Sequence, residues 1–371
     1  VLKANNITEE GLKTDDLIYI HRDRIRPEQF IRKGDLLLAA SSGSKKIVGK
    51  NIYFDSDFEG SFGAFCKLIR PKSSVYAPFL KHFFQTSNYK RHIEGLIQGA
   101  NINNLRNEHI DSLNLPELPK DDQIRIAKLL SKVERMISQR KESINLLDEL
   151  LKSMFQETFK ADFSNPNIED WTTLGDFIEV LTDYHANGSY ETLNANITIK
   201  NEPDYALMVR TKDLESNDFV NDCIYLNETE YNYLEKSKVF GGEIIITKIG
   251  SAGNVYLMPH LNRPVSLGMN AFLLRFKKNI NPKLIFHFLK SSFGVNEISK
   301  RVQGAVTKTI TKDAVRSIKI PVGIVTNQKP FIDFFTHFES LQYKYDQSLT
   351  QLETLCNSLS QLAFKGELDL S

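Results

Sequence analysis

The sequence predicts an α+β chain, two pseudo-repeated α/β domains separated by two long helices that form an antiparallel coiled coil. Three observations carry this reading. The stretch "QGANINNLRNEHIDSLNLPELPKDDQ", Gln98 to Gln123, returns without a gap as "QGAVTKTITKDAVRSIKIPVGIVTNQ", Gln303 to Gln328, at an offset of 205 residues. A seam of apolar residues stepping by threes and fours follows each copy. Short aliphatic runs bounded by Gly, Ser and Pro precede each copy.

The same offset pairs Pro116 with Pro321 and Phe159 with Phe364, and further back His82 with His287, Phe83 with Phe288, Ile93 with Ile298, Arg70 with Arg275 and Ser61 with Ser266. A unit of about 200 residues is far longer than a solenoid repeat and indicates two homologous halves. With small gaps, "RKGDLLLAASSGS" (Arg32 to Ser44) faces "FGGEIIITKIGS" (Phe240 to Ser251), and "IYI" at Ile18 faces "IYL" at Ile224. Val1 aligns near Val209, so Trp171 to Met208 has no partner in the first half, and there is no initiator methionine. The expectation is that roughly 35 residues precede Val1 in the full protein; a natural truncation or trimming is the alternative.

The runs "DLLLAA", "FCKLIR", "EIIITKI" and "AFLLRF" have the length, branching and boundaries of strands. "YAPFLKHFFQTSNYKRHIEGL" and "NPKLIFHFLKSSFGVNEISKRV" place Phe and Leu on one helical face. In the first long helix, Ile126, Leu130, Val133, Ile137, Ile144, Leu147, Leu151 and Met154 form a heptad seam interrupted once, at Arg140, with Asp121 or Asp122 as N-cap. The second uses Phe331, Phe335, Phe338, Gln342, Tyr345, Leu349, Leu352, Cys356 and Leu359, with Thr326 as N-cap and Pro330 in the first turn. About 35 helical residues span on the order of 50 Å. Two such seams in one chain most simply bury each other; packing of each helix on its own domain or on another chain is the alternative. The domain boundaries that follow are 1–120, first domain; 121–160, first long helix; 161–325, second domain; 326–365, second long helix; and 366–371, a tail.

Composition fits a globular chain of 371 residues, 41% hydrophobic and 25% charged. Three scattered cysteines give neither a disulfide framework nor a metal knuckle, which points to a reducing cytoplasm. No apolar run is long enough to span a membrane. A net charge of +1 argues against nucleic-acid binding by bulk electrostatics alone. Yet residues 1–120 hold 18 Lys+Arg against 14 Asp+Glu and residues 172–325 hold 18 against 16, so the positive excess lies in the two domains.

No phosphate loop, HExxH zinc motif or methyltransferase-type Asn-Pro-Pro-aromatic loop is present, so the sequence carries no catalytic constellation, and His82 and His287 read as packed or capping histidines. The polar loops are better candidates. "SSGSKKIVGKN" offers Ser41, Ser42, Ser44, Lys45, Lys46 and Lys50, donors suited to phosphates and base edges. Its counterpart "KIGSAGN" offers Lys248, Ser251 and Asn254. "HRDRIR" contributes Arg22, Arg24 and Arg26. "QGANINNLR" contributes Asn101, Asn103, Asn104 and Arg106, since asparagine pairs bidentately with adenine and arginine with guanine. In the second half Lys308 and Thr309 stand at the equivalent place, and Arg210 and Lys212 follow an apolar run. The same residue types also serve ordinary Gly-Ser hairpins and asparagine turns. The framework persists between copies while the polar tips change, the pattern expected both of two readers of different sequences and of drifting surface loops.

In this arrangement the chain resembles a specificity (S) subunit of a type I restriction-modification enzyme. The resemblance covers essentially the whole chain. It rests on the twice-repeated order of a Gly-acid-aliphatic strand (Gly34-Asp35-Leu36, Gly242-Glu243-Ile244), Gln-Gly-Ala (Gln98 to Ala100, Gln303 to Ala305), the step "LNLPELP" or "IKIPVGI", and a long helix ending in "MFQETF" or "LAFKGEL". "IPVGIVTNQ" departs from the Pro-Leu-Pro step usual there, which puts the entry to the second helix in question. The resemblance implies two target recognition domains, each reading one half of a split double-stranded DNA site, with the paired helices as a ruler. It implies no catalysis by this chain. Two modification subunits would carry S-adenosylmethionine-dependent adenine methylation, and restriction subunits would use ATP and Mg to cleave. A self-contained DNA-modifying enzyme is the alternative from the enzyme class, and a protein-binding scaffold a third. The resemblance transfers no individual DNA contact, because those loops vary between members.

Overall fold

The computed structural model describes residues 1–8, 11–45, 47–99, 104–164 and 171–370. The chain divides into two compact units, Val1–Ile144 with Tyr343–Ser371, and Asn145–Gln342. Both divisions fall inside the two long helices, Lys120–Thr158 and Lys329–Lys365, so each helix gives one end to each unit.

In the first unit, strands β1 (Leu36–Ala39), β2 (Asn51–Tyr53) and β3 (Cys66–Ile69) form an antiparallel sheet in the order β2-β1-β3. All four residues of β1 are buried. Because side chains alternate along a strand, Leu36 and Leu38 enter the core beneath the helices Ala77–Phe83 and Ser87–Gly99, while Leu37 and Ala39 enter a second core with Leu2, Ile7, Ile31 and Phe54. A strand covered on both faces reads in sequence as an unbroken apolar run, which is why "DLLLAA" is legible.

The second unit adds β4 (Trp171–Thr173), β5 (Ile178–Asp183), β6 (Ala206–Val209), β7 (Ile224–Leu226), β8 (Lys238–Val239), β9 (Ile244–Thr247), β10 (Val255–Leu257), β11 (Val265–Leu267), β12 (Ala271–Phe276) and β13 (Lys319–Pro321). One sheet runs β10-β9-β12-β5, all antiparallel. The other runs β7-β6-β11-β8, with β6 and β11 parallel. Ile244, Ile246, Phe272 and Leu274 face the helices; Ile245 and Leu273 face Leu207, Val209, Val265 and Leu267 in a core between the sheets. β4 pairs with β13, tying the start of this domain to its end. The first-half equivalent of β7, Ile18–Ile20, is not a strand and stays exposed; Ile18 exchanges two backbone hydrogen bonds with Val1.

The long helices pack antiparallel within each unit. In the first, the Arg140 guanidinium lies 4.3 Å from the Tyr345 ring centre, Lys141 pairs with Glu353 at 3.0 Å, and Phe364 packs on Phe79 and Phe83 beside Ile126 and Leu130. The tail after Lys365 is held there too, with Leu368 and Leu370 against the same core and Arg125 donating to the Leu370 carbonyl. In the second, Gln342 donates to Asp148 at 3.3 Å and Phe155 meets Phe331 edge-on at 5.1 Å. Ile126, Leu130, Val133, Leu151, Phe331, Phe335 and Phe338 are buried, whereas Ile137, Ile144, Leu147, Tyr345 and Leu349 are half-buried. Away from the domains a seam has only its partner helix to cover it.

Three local expectations are corrected. The first long helix starts at Lys120, so Asp121 and Asp122 occupy its first turn, where they favour the helix dipole, rather than its cap. Thr326 ends a separate short helix, Val322–Thr326, and its hydroxyl donates back to the Val322 carbonyl, so the second long helix begins at Lys329. Each amphipathic helix before the Gln-Gly-Ala motif is two helices. Thr86 caps the break in the first by accepting from the Tyr89 amide, and Ser291 caps it in the second by accepting from Gly294.

The paired histidines are packed. His82 lies 3.1 Å from Glu134 Oε1 and 2.9 Å from Ser131 Oγ. His287 sits among Phe155, Phe331 and Phe335, and this burial, with the Lys283 ammonium adding to it, pushes its pKa down to about 4. The folded value lies below the ordinary value of about 6.5, so the stability this group contributes is complete above pH ~6.5 and is lost as pH falls from there through 4. Denaturation of wild type and His287→Leu across pH 7 to 4.5 checks this: the wild-type midpoint should fall more steeply, by up to one proton's linkage. Truncating Phe155 to Ala, which leaves a cavity between the two helices, should cost about 3–5 kcal/mol, read by chemical denaturation.

Candidate nucleic-acid interface

Each half carries the same rim. In the first unit the loop from β1 to β2, residues 40–50, leaves the buried strand at Ala40. Leu105 donates its backbone N–H to the Ala40 carbonyl at 2.7 Å, Ser41 bridges Asn104, and the Phe65 carbonyl accepts from the amides of Ala40 and Ser41 at 2.8 and 3.0 Å. Three segments distant in sequence therefore meet at one strand end. The loop returns at Gly49, whose φ is +89° and whose Cβ position would lie 2.5 Å from Ile93 Cγ2; the Tyr89 hydroxyl donates to its carbonyl at 2.6 Å.

The second unit repeats the construction. Ile310 donates to the Lys248 carbonyl at 3.1 Å, Ile249 bridges Thr309, Gly250 donates to the Lys308 carbonyl at 3.0 Å, and the Asn270 carbonyl accepts from Lys248 at 2.7 Å. Gly253, φ +91°, turns the loop back with a Cβ position 2.5 Å from Ile298 Cγ2, and Ile298 is the repeat partner of Ile93. Gln303 and Thr309 exchange two backbone hydrogen bonds, closing a hairpin that presents Val306 at 98% exposure beside Lys308.

The fold thus brings the loop residues Ser41, Ser42, Ser44, Lys45 and Lys50 to the segment carrying Asn104 and Arg106, and Lys248, Ser251 and Asn254 to Lys308 and Thr309. Ser44, Lys45, Asn104, Arg106, Asn254 and Lys308 are exposed; Ser41, Ser42, Lys50, Ser251 and Thr309 are half-buried. Lys46, Asn101 and Asn103 lie outside the described residues. Arg22, Arg24 and Arg26 are exposed but do not join this rim. Their segment is fixed through Phe30 and Glu28, whose carbonyls accept from Arg70, and Arg70 pairs with Asp35 at the opposite end of β1. Arg22 lies over the Phe30 ring at 5.4 Å.

The three candidate cations Lys248, Arg210 and Lys212 have acidic partners within the second half. Lys248, 18% exposed, and Lys312 both hold Asp183, at 3.0 and 2.8 Å. Burial pushes the Asp183 carboxyl up, but the hydrogen bonds from Lys312 and Lys248 outweigh it and leave the carboxyl below its ordinary value. Arg210 is bidentate on Asp213, at 2.8 and 3.1 Å, and Lys212 pairs with Asp222. Ser251 donates to Glu215 on the helix Thr211–Ser216, which sets that helix beside the loop. Two rim members escaped the sequence reading, Phe65, 65% exposed, and its repeat partner Asn270. Their equivalence under the offset of 205 was the available signal.

Two copies of one α/β frame, each presenting a polar loop rim and docked on a pair of antiparallel long helices, define the architecture of the type I specificity subunits. The chain belongs to the type I restriction modification DNA specificity domain family, whose profile matches residues 10–148 and 168–354. It is 25% identical to the type I restriction enzyme EcoKI specificity subunit of Escherichia coli (strain K12) over 99% of this chain and 82% of that one. It is also 25% identical to the StySPI specificity subunit of Salmonella potsdam, with the same coverages. Among solved structures, a chain from work on complex assembly and conformational transition of the type I R-M system covers 91% of this chain and 83% of its own length, with a TM-score of 0.54 and 15% identity, a likeness of fold.

The glycine turns are testable at once. Gly253→Ala adds a Cβ against Ile298 at a left-handed φ and should cost about 1–3 kcal/mol, measured by thermal unfolding; in an Ile298→Ala background, which removes the Cγ2 methyl, the steric part of that cost should fall away and the backbone part remain.

Proposed function

We propose that this chain is the non-catalytic DNA sequence-recognition subunit of a type I restriction-modification complex, reading a bipartite double-stranded target with one domain per half-site. The observation that carries the reading is the rim: the same three-segment frame, built twice, with different side chains at its tips. Under this reading residues 1–120 and 161–325 are the recognition domains, 121–160 and 326–365 the helices that set the gap between half-sites, and 366–371 a tail. Exposed Ser44, Lys45, Asn104, Arg106, Asn254 and Lys308 are the leading contacts. Arg210, Lys212 and Lys248 would have to exchange an acidic partner for a phosphate or base. Arg22, Arg24 and Arg26 would reach the DNA backbone away from the rim.

The chain scaffolds two modification subunits and the restriction subunits, in the cytoplasm. S-adenosylmethionine, ATP and Mg belong to those partners. Two weak readers held in one chain make physical sense. A bidentate base contact discriminates by about 1–3 kcal/mol, too little for a short half-site to be rare in a genome, whereas tethering lets the two readings combine.

Exchanging the 41–51 loop and the 98–106 segment for those of another specificity subunit should change one half of the methylated site and leave the other half and the gap intact, read by methylome sequencing. A change in both halves, or in neither, would overturn the assignment of one domain to one half-site. Inserting four residues, about one turn, near both Arg140 and Tyr345 should lengthen the gap with the half-site bases unchanged. Methylation or cleavage by the purified chain alone would instead favour a self-contained enzyme.

A further inference from the structure

We propose that Gln123 with Glu134, and Gln328 with Glu339, are positioning residues that lock each recognition domain onto its long helix and so fix which gap between half-sites is accepted. The inference rests on the proposed function and deepens it.

Gln123 is buried, and its side-chain amide uses three hydrogen bonds. Oε1 accepts from the Tyr76 backbone N–H at 2.8 Å, and Nε2 donates to the carbonyls of Ser74 at 3.2 Å and Leu118 at 2.9 Å. One side chain in the first turn of the long helix thereby holds the loop that opens the domain helix Ala77–Phe83 and the segment that enters the long helix. Gln328, 205 residues on, repeats the arrangement: Oε1 accepts from Asn281 at 3.0 Å, and Nε2 donates to Asn279 at 2.9 Å and Val325 at 2.8 Å. Asn281 and Asn279 are the repeat partners of Tyr76 and Ser74. The third acceptor shifts by two positions because the short helix Val322–Thr326 replaces the extended entry of the first half.

Eleven residues further along each helix, about three turns and so on the same face, stands the second anchor. Glu134 accepts from Lys81 at 2.7 Å and meets His82 at 3.1 Å; Glu339 takes Lys283 at 2.6 Å. Between the anchors the apolar strips also correspond, Phe79 and Phe83 with Ile126 and Leu130 in one half, Leu284 and Phe288 with Phe331 and Phe335 in the other. Apolar packing is non-directional and tolerates sliding, whereas an amide with three fixed backbone partners specifies register and orientation. The bases lie with the rims, so these joints leave base choice alone and act on reach.

The test uses the full chain in complex with its modification subunits. Duplexes carry the wild-type two-part site, found first by methylome sequencing, with the gap native, one base pair shorter or one longer. For wild type, methyl transfer should strongly favour the native gap. Gln123→Met and Gln328→Met keep the volume and remove the hydrogen bonds. Each should lower the native-to-altered-gap rate ratio roughly tenfold, the order of one net hydrogen bond, with the methylated bases unchanged. Glu339→Gln, at an exposed pair that does not endanger folding, should lower it about two- to threefold. A ratio that stays at its wild-type value in all three variants, whatever happens to melting temperature, overturns the inference, as does a change of half-site bases in place of gap tolerance. A wild-type complex that methylates no two-part site would instead overturn the proposed function on which the inference rests.

Discussion

The antiparallel packing of the long helices is the constraint on which the remaining structure depends. A helix of 39 residues with an apolar seam is not stable in water on propensity alone; most of its stability comes from covering that seam. At each end the cover is twofold, from the other long helix and from the domain helix beside it, largely through their phenylalanines. Phe79, Phe83 and Phe364 serve one unit, and Phe155, Phe159, Phe331 and Phe335 the other. In the middle, where only the partner helix is available, the seam residues are half-buried and polar partners appear, Arg140 over Tyr345 and Gln342 to Asp148. Within each unit the helix pair is most deeply buried beside the domain helix.

That anchoring explains how a strand end becomes a display site. β1 and β9 are buried on both faces, so their C-terminal ends are held by two cores at once, and the loops that leave them are pinned by backbone hydrogen bonds to two other segments. The frame is indifferent to which residues occupy the tips. Serines, lysines and asparagines stand on one copy, and Val306, Thr307 and Lys308 on the other, over the matching bridges Ser41 to Asn104 and Ile249 to Thr309.

The two halves also show how one scaffold absorbs different chemistry at matched positions. His82 keeps polar company with Glu134 and Ser131, while His287 is enclosed by aromatic rings; the acid at position 339 then takes Lys283 instead. Asp35 with Arg70 and Glu243 with Arg275 close the opposite ends of the central strands in both halves, at 2.7 and 3.2 Å.

By itself the sequence determined the repeat, the aliphatic strands and the two helical seams, because each is written in local periodicity or in self-similarity, and burial on two faces leaves an apolar run that needs no tertiary knowledge to read. The rim loops were legible as polar stretches between such runs. Tertiary structure decided which of them meet. Ser41 bridges Asn104 across 63 positions and Ile249 bridges Thr309 across 60, pairings set by sheet and helix packing that no local pattern records. It also decided which cations are already satisfied. Lys248 looks available in "KIGSAGN", but its partner Asp183 lies 65 positions earlier on β5, whereas the Arg210 to Asp213 pair, three residues apart, was open to inspection. The start of the second long helix at Lys329 likewise depended on how "IPVGIVT" packs as a turn of its own against the core, a matter of burial of Ile324 and Val325 rather than of capping residues. Local pattern fixes elements because it governs short-range backbone preference and amphipathicity; long-range charge pairing and loop convergence are fixed only when the cores close.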